Sequence, residues 1–291
     1  MDELPEGDEL VARLRAAGSV FAEEEAALLR AHAREADHLE ESASRRIAGE
    51  MLEHVLGEVD FCGLRLRVAP GCFVPRRRTR LLARLAVAAA CSSARRSGRT
   101  PVLLELCAGI APIASLSAAR VPGIQVHAAD VDPLPLECAR ANLPPGSQLH
   151  VGDLFGALPD ALRGSIDVIA AVPPYVPDDA LALLPREARE HEPRRALRGG
   201  ADGLDVARRI LAQGPDWLAP GGRILLEMHV DQARTLVQEQ AEAESTASTE
   251  TTETTETTEK AETGRPTASV LRVHPGADGR TAVCEVTPSP A

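Results

Sequence analysis

The sequence predicts an α/β protein, a mostly parallel sheet with crossover helices preceded by a small helical segment. Three observations carry that prediction. From Pro101 onward, strand-length apolar runs alternate with segments of helical period, the pattern of parallel strands joined by helices. The run Val168–Val172 has no polar side chain, as befits a strand covered on both faces. It stops at Pro173-Pro-Tyr175, where two residues lacking a backbone donor must end the ladder.

Residues 1–57 are expected to form a helical N-terminal domain of three or four helices. Leu10, Val11 and Leu14, then Ala26, Leu29 and Ala33, then Ile47, Met51, Leu52 and Val55 recur at helix spacing, with breaks at Gly18, Gly49 and Gly57. Residues 58–75 read as a linking β-hairpin. Apolar and charged residues alternate strictly in Leu64-Arg-Leu-Arg-Val68, and Cys62-Gly63 supplies a turn from Val59–Phe61.

Residues 76–291 form the main domain, opening with a helix from about Thr79 to Cys91. Strands are expected at Val102–Leu106, Gln125–Ala129, Leu149–Val151, Val168–Ala171 and Ile224–Glu227. Helices are expected at Pro112–Arg120, Pro133–Asn142, Leu204–Leu218 and Asp231–Glu242. A hairpin of Ser269–Val273 and Thr281–Val286 around Pro275-Gly-Ala-Asp-Gly279 completes the sheet in antiparallel fashion. Before it, residues 244–266 repeat Thr and Glu without apolar period, so a disordered surface insertion is expected there.

Eight glutamates and one lysine between positions 239 and 262 account for −7 of the net charge of −11. The rest is close to neutral, and direct nucleic-acid binding is not expected. No stretch is apolar for long enough to span a membrane, and the first residues are acidic where a signal peptide is basic. A soluble cytoplasmic protein is the expectation. The six cysteines are scattered and form no CxxC pair, which suggests buried reduced thiols. His191 has no second histidine at ligand spacing, so His191 and Glu192 read as loop-fixing residues rather than metal ligands.

Ligands of open parallel sheets bind past the carboxyl ends of the strands. Three acids stand at three successive strand ends: Glu105, Asp130 and Asp153. Asp130 lies 21 positions after Gly109, where a ribose-binding acid belongs. The loop Cys107-Ala-Gly-Ile-Ala111 keeps one glycine, a poor match to the three of a dinucleotide-binding dehydrogenase. A positively charged cofactor carrying a ribose suits such a crevice, and S-adenosylmethionine is a molecule of that kind.

These residues resemble the protein glutamine-amide methyltransferases that act on peptide-chain release factors and a ribosomal protein. Within that family the chain looks closer to members of unassigned substrate. The resemblance spans about Arg45 to Gln232 plus the final hairpin, through Arg46–Gly57, Phe61–Gly71, Phe73-Val-Pro-Arg76, Asp153-Leu-Phe155, Pro173-Pro-Tyr175, His191-Glu-Pro193, Gly199–Leu204, Pro220-Gly-Gly222 and Leu226-Glu227 through Gln232. It implies a class I S-adenosylmethionine-dependent fold, Rossmann-like, with a mostly parallel seven-stranded sheet.

It further implies that Cys107, Ala108, Gly109, Ile110, Ala111, Asp130, Asp153 and Leu154 contact S-adenosylmethionine, with Glu105 and Val172 beside them. Val172, Pro173, Pro174 and Tyr175 would form the acceptor slot. The implied partner is a protein presenting a glutamine, a release factor or ribosomal protein. Three positions depart from the family. Cys107 and Ala111 replace loop glycines, Arg77, Arg78 and Arg80 replace a proline and acids, and Val172 replaces the asparagine of Asn-Pro-Pro-Tyr. That asparagine accepts the amide protons of the glutamine, so its loss costs on the order of 3 kcal/mol, roughly a hundredfold in rate. The alternatives are another planar nitrogen acceptor, a small molecule or nucleobase, or a catalytically impaired relative that binds cofactor.

Outside the motifs, Arg76–Arg78 and Arg80 read either as an anion grip or as a solvated cluster. Met228 and His229 read as core packing after a strand.

Overall fold

The computed structural model describes residues 6–184, 186–253 and 269–288. Four helices come first: α1 (Glu6–Ala16), α2 (Ala22–His32), α3 (Ala36–Ile47) and α4 (Leu52–Leu56). Leu10, Leu14, Ala26, Leu29 and Val55 meet in a core of their own. Gly57 at φ 71 ends α4 in the left-handed conformation that favours glycine.

Strands β1 (Glu58–Phe61) and β2 (Leu64–Arg67) pair as the expected hairpin, with Phe61 opposite Leu64. Both turn residues have positive φ, Cys62 at 55 and Gly63 at 79, the requirement of a tight two-residue turn. Helix α5 (Arg80–Ser97) outruns the expected end at Cys91 and stops at Gly98, again at positive φ.

The sheet then builds outward from its centre through β3 (Val102–Leu106), α6 (Pro112–Arg120), β4 (Gln125–Asp130), α7 (Pro133–Asn142) and β5 (Gln148–Val151). The chain returns to the other side of β3 as β6 (Ile166–Ala171). Short helix α8 (Arg186–His191) and helix α9 (Asp205–Gln213) precede β7 (Leu218–His229). Helix α10 (Val230–Glu253), β8 (Ser269–Pro275) and β9 (Thr281–Pro288) finish the chain.

The strand order is β5-β4-β3-β6-β7-β9-β8. The first five run parallel, and β9 pairs antiparallel with β7 and with β8. Order reverses between β3 and β6, the switch point beyond which such sheets hold ligands.

Alternation along the strands divides the core. Leu103, Val126, Val168 and Leu225 face α5, α6 and α7, while Leu104, Leu106, Ile169 and Leu226 face Trp217, α9 and the start of α10. Strand β6 begins two residues before the apolar run and so includes Asp167, which is 2% exposed. Its carboxylate accepts from the Ser93 hydroxyl, from Arg99 at 2.7 Å and from the Val102 amide at 2.8 Å. Three donors make the buried charge tolerable and tie α5 to the start of β3.

Two expectations are corrected. The helix expected over Leu204–Leu218 ends at Gln213 and gives way to a 3-10 turn, Gly214–Trp217. Gly214 still takes helical angles, φ −59 and ψ −37, but Pro215 has no amide to continue the α-helical ladder. The disorder expected over 244–266 is overturned for residues 244–253, which continue α10. Extending an established helix costs far less than starting one, so α10 continues although six of these ten residues are Ser or Thr. Residues 254–266 lie outside the described residues.

Candidate active site

A cavity of about 690 Å³ opens at the carboxyl ends of β3, β4 and β6. On one side lies the loop after β3. Cys107 at φ 50, Gly109 at 53 and Ala111 at 59 all take the left-handed conformation, so the loop keeps a glycine-type path with two residues that disfavour it. Each such non-glycine residue costs on the order of 1 kcal/mol. The path pays off at Gly109, where a Cβ would meet nothing within 4 Å and the backbone faces open space.

Asp130 holds this loop. Its Oδ2 accepts from the Gly109 amide at 2.8 Å and its Oδ1 from the Asp132 amide at 2.9 Å. A carboxylate has about four acceptor sites, so each oxygen can still accept a ribose hydroxyl. Burial raises its pKa against these two amides. Asp132 caps α7 at the Leu134 amide and pairs with Arg195 at 2.8 Å.

Glu105 is 2% exposed, on the same face of β3 as Leu103. Its carboxyl accepts from the amides of Ile113 at 3.3 Å and Ala114 at 2.6 Å, capping α6. Burial pushes this group up to about 8. It touches the cavity, but its hydrogen bonds make it the anchor of the loop. Asp153 lines the cavity with a mostly exposed side chain, paired to Arg209 at 2.6 Å. Leu154, at φ 47, follows it into the wall. Burial also pushes up the Cys107 thiol, which stays protonated.

The other side of the cavity is Val172, Pro173, Pro174 and Tyr175. Val172 packs its side chain against the hydrophobic core. The backbone behind the slot is clamped by the glycine-rich segment 199–203. The Val176 amide donates to Leu197 O at 2.9 Å and the Gly199 amide to Val176 O at 2.8 Å. Side chains are barred here, since a Cβ at Gly203 would meet Tyr175 O at 2.3 Å. Gln232 Nε2 reaches over from α10 to Tyr175 O at 2.8 Å.

Of the residues singled out from the sequence, Glu105, Cys107, Ala108, Gly109, Ile110, Asp130, Asp153, Leu154 and Val172–Tyr175 all border this cavity. Ala111 does not. It is fully buried at the start of α6 and serves the turn rather than a ligand.

Sequence reasoning missed the charged wall. Arg76 pairs at 2.6 Å with Glu192, whose carboxylate is buried and also accepts from the Val74 amide at 3.4 Å. Arg78 approaches buried Glu227 at 3.6 Å and lies 5.9 Å from the centre of the Tyr175 ring. The Thr79 hydroxyl donates to Glu227 at 3.2 Å. Glu192 is thus the loop-fixing residue expected; Arg76 is built into the wall, while Arg78 lines it and stays exposed to solvent. Their acid partners lie more than 110 positions away, and no local pattern joins them. Met228 is core, as expected, while His229 borders a neighbouring cavity.

Among the described residues, no three His, Cys, Asp or Glu side chains could hold a metal, and no helix is long and apolar enough to cross a membrane. All six cysteines are free.

This arrangement, a parallel sheet with an acid after β4 and a glycine-type loop after β3, defines the class I S-adenosylmethionine-dependent methyltransferase fold. The catalytic domain of hMettl16, solved with a 3′UTR hairpin, shares the fold at TM-score 0.52 and 14% identity, over 86% of this chain and 82% of that one.

No protein-family model matches the chain, but curated relatives do. Release factor glutamine methyltransferase of Deinococcus radiodurans is 37% identical over 199 residues, 68% of this chain and 69% of that protein. That of Geobacter sulfurreducens is 35% identical over 197 residues, 67% and 66% of the two chains. The 4-amino-L-phenylalanine/4-methylamino-L-phenylalanine methyltransferase of Streptomyces pristinaespiralis is 35% identical over 184 residues, 63% and 62%. The chain spans about two thirds of the length of these relatives. It belongs to the release factor glutamine methyltransferase family.

Proposed function

We propose that this protein transfers a methyl group from S-adenosylmethionine to the side-chain amide of a glutamine in a protein, such as a release factor. One observation carries the reading. The loop after β3 and the Val172–Tyr175 segment line the same cavity, so donor and acceptor would meet inside it.

The residues present suit this cofactor. Open space above Gly109 admits it, and Asp130 retains lone pairs for ribose hydroxyls. The cofactor supplies an electrophilic methyl on a sulfonium. What the chain supplies is position. Pro173 and Pro174 fix the backbone, Tyr175 offers a flat face to a planar amide, and water is kept from the apolar wall. Val172 supplies no acceptor, so the nitrogen would be oriented by backbone carbonyls of the slot alone.

That last point favours a second reading. An amide nitrogen is a poor nucleophile because its lone pair is delocalised, and it needs the acceptor that Val172 lacks. An amine keeps more of its lone pair. A small-molecule amine acceptor, as in the name of the Streptomyces pristinaespiralis relative, tolerates valine better.

The test is transfer of radiolabelled methyl from the cofactor into a lysate of cells lacking this protein, with separation of label by molecular mass. Label on a glutamine of a protein supports the first reading. Label confined to small molecules supports the second, and no label from active cofactor-bound protein defeats both.

A further inference from the structure

A second cavity of about 450 Å³ adjoins the first, lined by Arg78, Tyr175, His229, Asp278, Arg280 and Thr281. Arg78 and Tyr175 border both cavities, so these two side chains form the partition between them. Whatever sits against Tyr175 on the cofactor side has this second space as its nearest neighbour.

The charges there are unbalanced. Arg78 and Arg280 face one acid, Asp278. Asp278 Oδ1 is occupied by the Arg280 amide at 3.0 Å, the Thr281 amide at 2.9 Å and the Thr281 hydroxyl at 2.8 Å. Among the described residues, the Arg280 guanidinium has no ion-pair partner. Arg78 has Glu227 as its partner, at 3.6 Å. Burial raises that carboxyl to about 7, so near neutrality Glu227 offsets only part of the Arg78 charge. With Asp278 held ionised beside them, Arg78 and Arg280 leave the space a small positive excess next to the Tyr175 ring and His229. Guanidinium prefers carboxylate or phosphate, which it can bind with two parallel hydrogen bonds.

We propose that this second cavity is an acceptor subsite that takes the carboxylate of an Asp or Glu next to the methylated glutamine, held by Arg78 and Arg280. The inference rests on the function proposed above and deepens it, since it specifies the sequence around the acceptor. The resemblance implies a proline and acids in the segment of the release-factor enzymes that holds Arg77, Arg78 and Arg80 here, so the subsite would distinguish this chain from them.

Three labelled peptides, identical except for Glu, Gln or Lys beside the glutamine, would be titrated with the full chain and followed by fluorescence anisotropy. The Glu peptide should bind about fivefold tighter than the Gln peptide, with Lys weakest, a range expected for a partly exposed ion pair. Arg280 lies on the exposed hairpin turn, so Arg280→Gln should fold and bring the difference below about twofold. Arg280→Glu should turn the preference toward Lys. Equal binding of the three peptides, a preference that survives Arg280→Gln, or binding of none overturns the subsite. Methyl transfer to the same peptides is read separately. Transfer without charge preference removes the subsite and leaves the function standing; charge preference without transfer does the reverse.

Discussion

The loop after β3 and the slot after β6 meet in one cavity, yet they absorb their departures from the family in different ways. The loop has lost two glycines, and Cys107 and Ala111 still sit at φ 50 and 59. Its work is done by the backbone, so replacing side chains leaves the path intact at a cost in strain. The slot carries Val172 where the resemblance implies an asparagine that would work through its side chain. Val172 keeps the strand end and the packing, but no atom of its side chain can accept a proton. A loop that works through backbone geometry is expected to tolerate such substitutions, and a slot that works through a functional group is not.

The sharpest way to break this comparison is Val172→Asn. Restoring the acceptor should raise kcat/KM for a glutamine peptide about a hundredfold. If the rate is unchanged, backbone carbonyls suffice and the slot is as tolerant as the loop.

Next in size is the effect of pH on the loop's anchor. Burial raises Glu105 from 4.5 to about 8, so the folded protein holds this proton more tightly than the unfolded chain. That contribution is complete below about pH 4.5 and is lost as pH rises through 8. Thermal melts should show a midpoint falling by several degrees from pH 5 to 8. In Glu105→Gln that part of the slope should vanish. An unchanged slope would place the buried charge elsewhere.

Asp130→Asn removes a charge that accepts from the Gly109 amide. Cofactor affinity should fall about tenfold, with a smaller change in melting temperature. A large loss of stability and little loss of affinity would make Asp130 a folding residue.

Smallest is the strain itself. In Cys107→Gly and Ala111→Gly the relief of strain, on the order of 1 kcal/mol, is set against the greater freedom of glycine in the unfolded chain and the loss of a buried side chain, so each should shift stability by less than about 1 kcal/mol. Denaturant titration measures it, and cofactor affinity should hold within about twofold. Destabilisation by several kcal/mol would mean that core packing of these side chains, and not backbone strain, governs the loop.

The same division explains what could be read in the sequence. Strand β3 and helices α6 and α7 fall where expected because Pro112 and Pro133 mark helix starts and the apolar run of β3 is unbroken. The cavity wall was legible as far as it is local: Gly109, Asp130 and Pro173–Tyr175 follow successive strands. Arg76–Glu192, Arg78–Glu227 and the cap of α6 by Glu105 depend on folding for their contacts. The early end of α9 follows from Pro215, which has no amide to continue the ladder, a signal present in the sequence that helical period alone passes over.

Calorimetric titration of the full chain with S-adenosylmethionine tests most directly whether the crevice between β3 and β6 is a cofactor site. One saturable site that weakens about tenfold in Asp130→Asn is the predicted result. No saturable binding by the folded wild-type chain would contradict it.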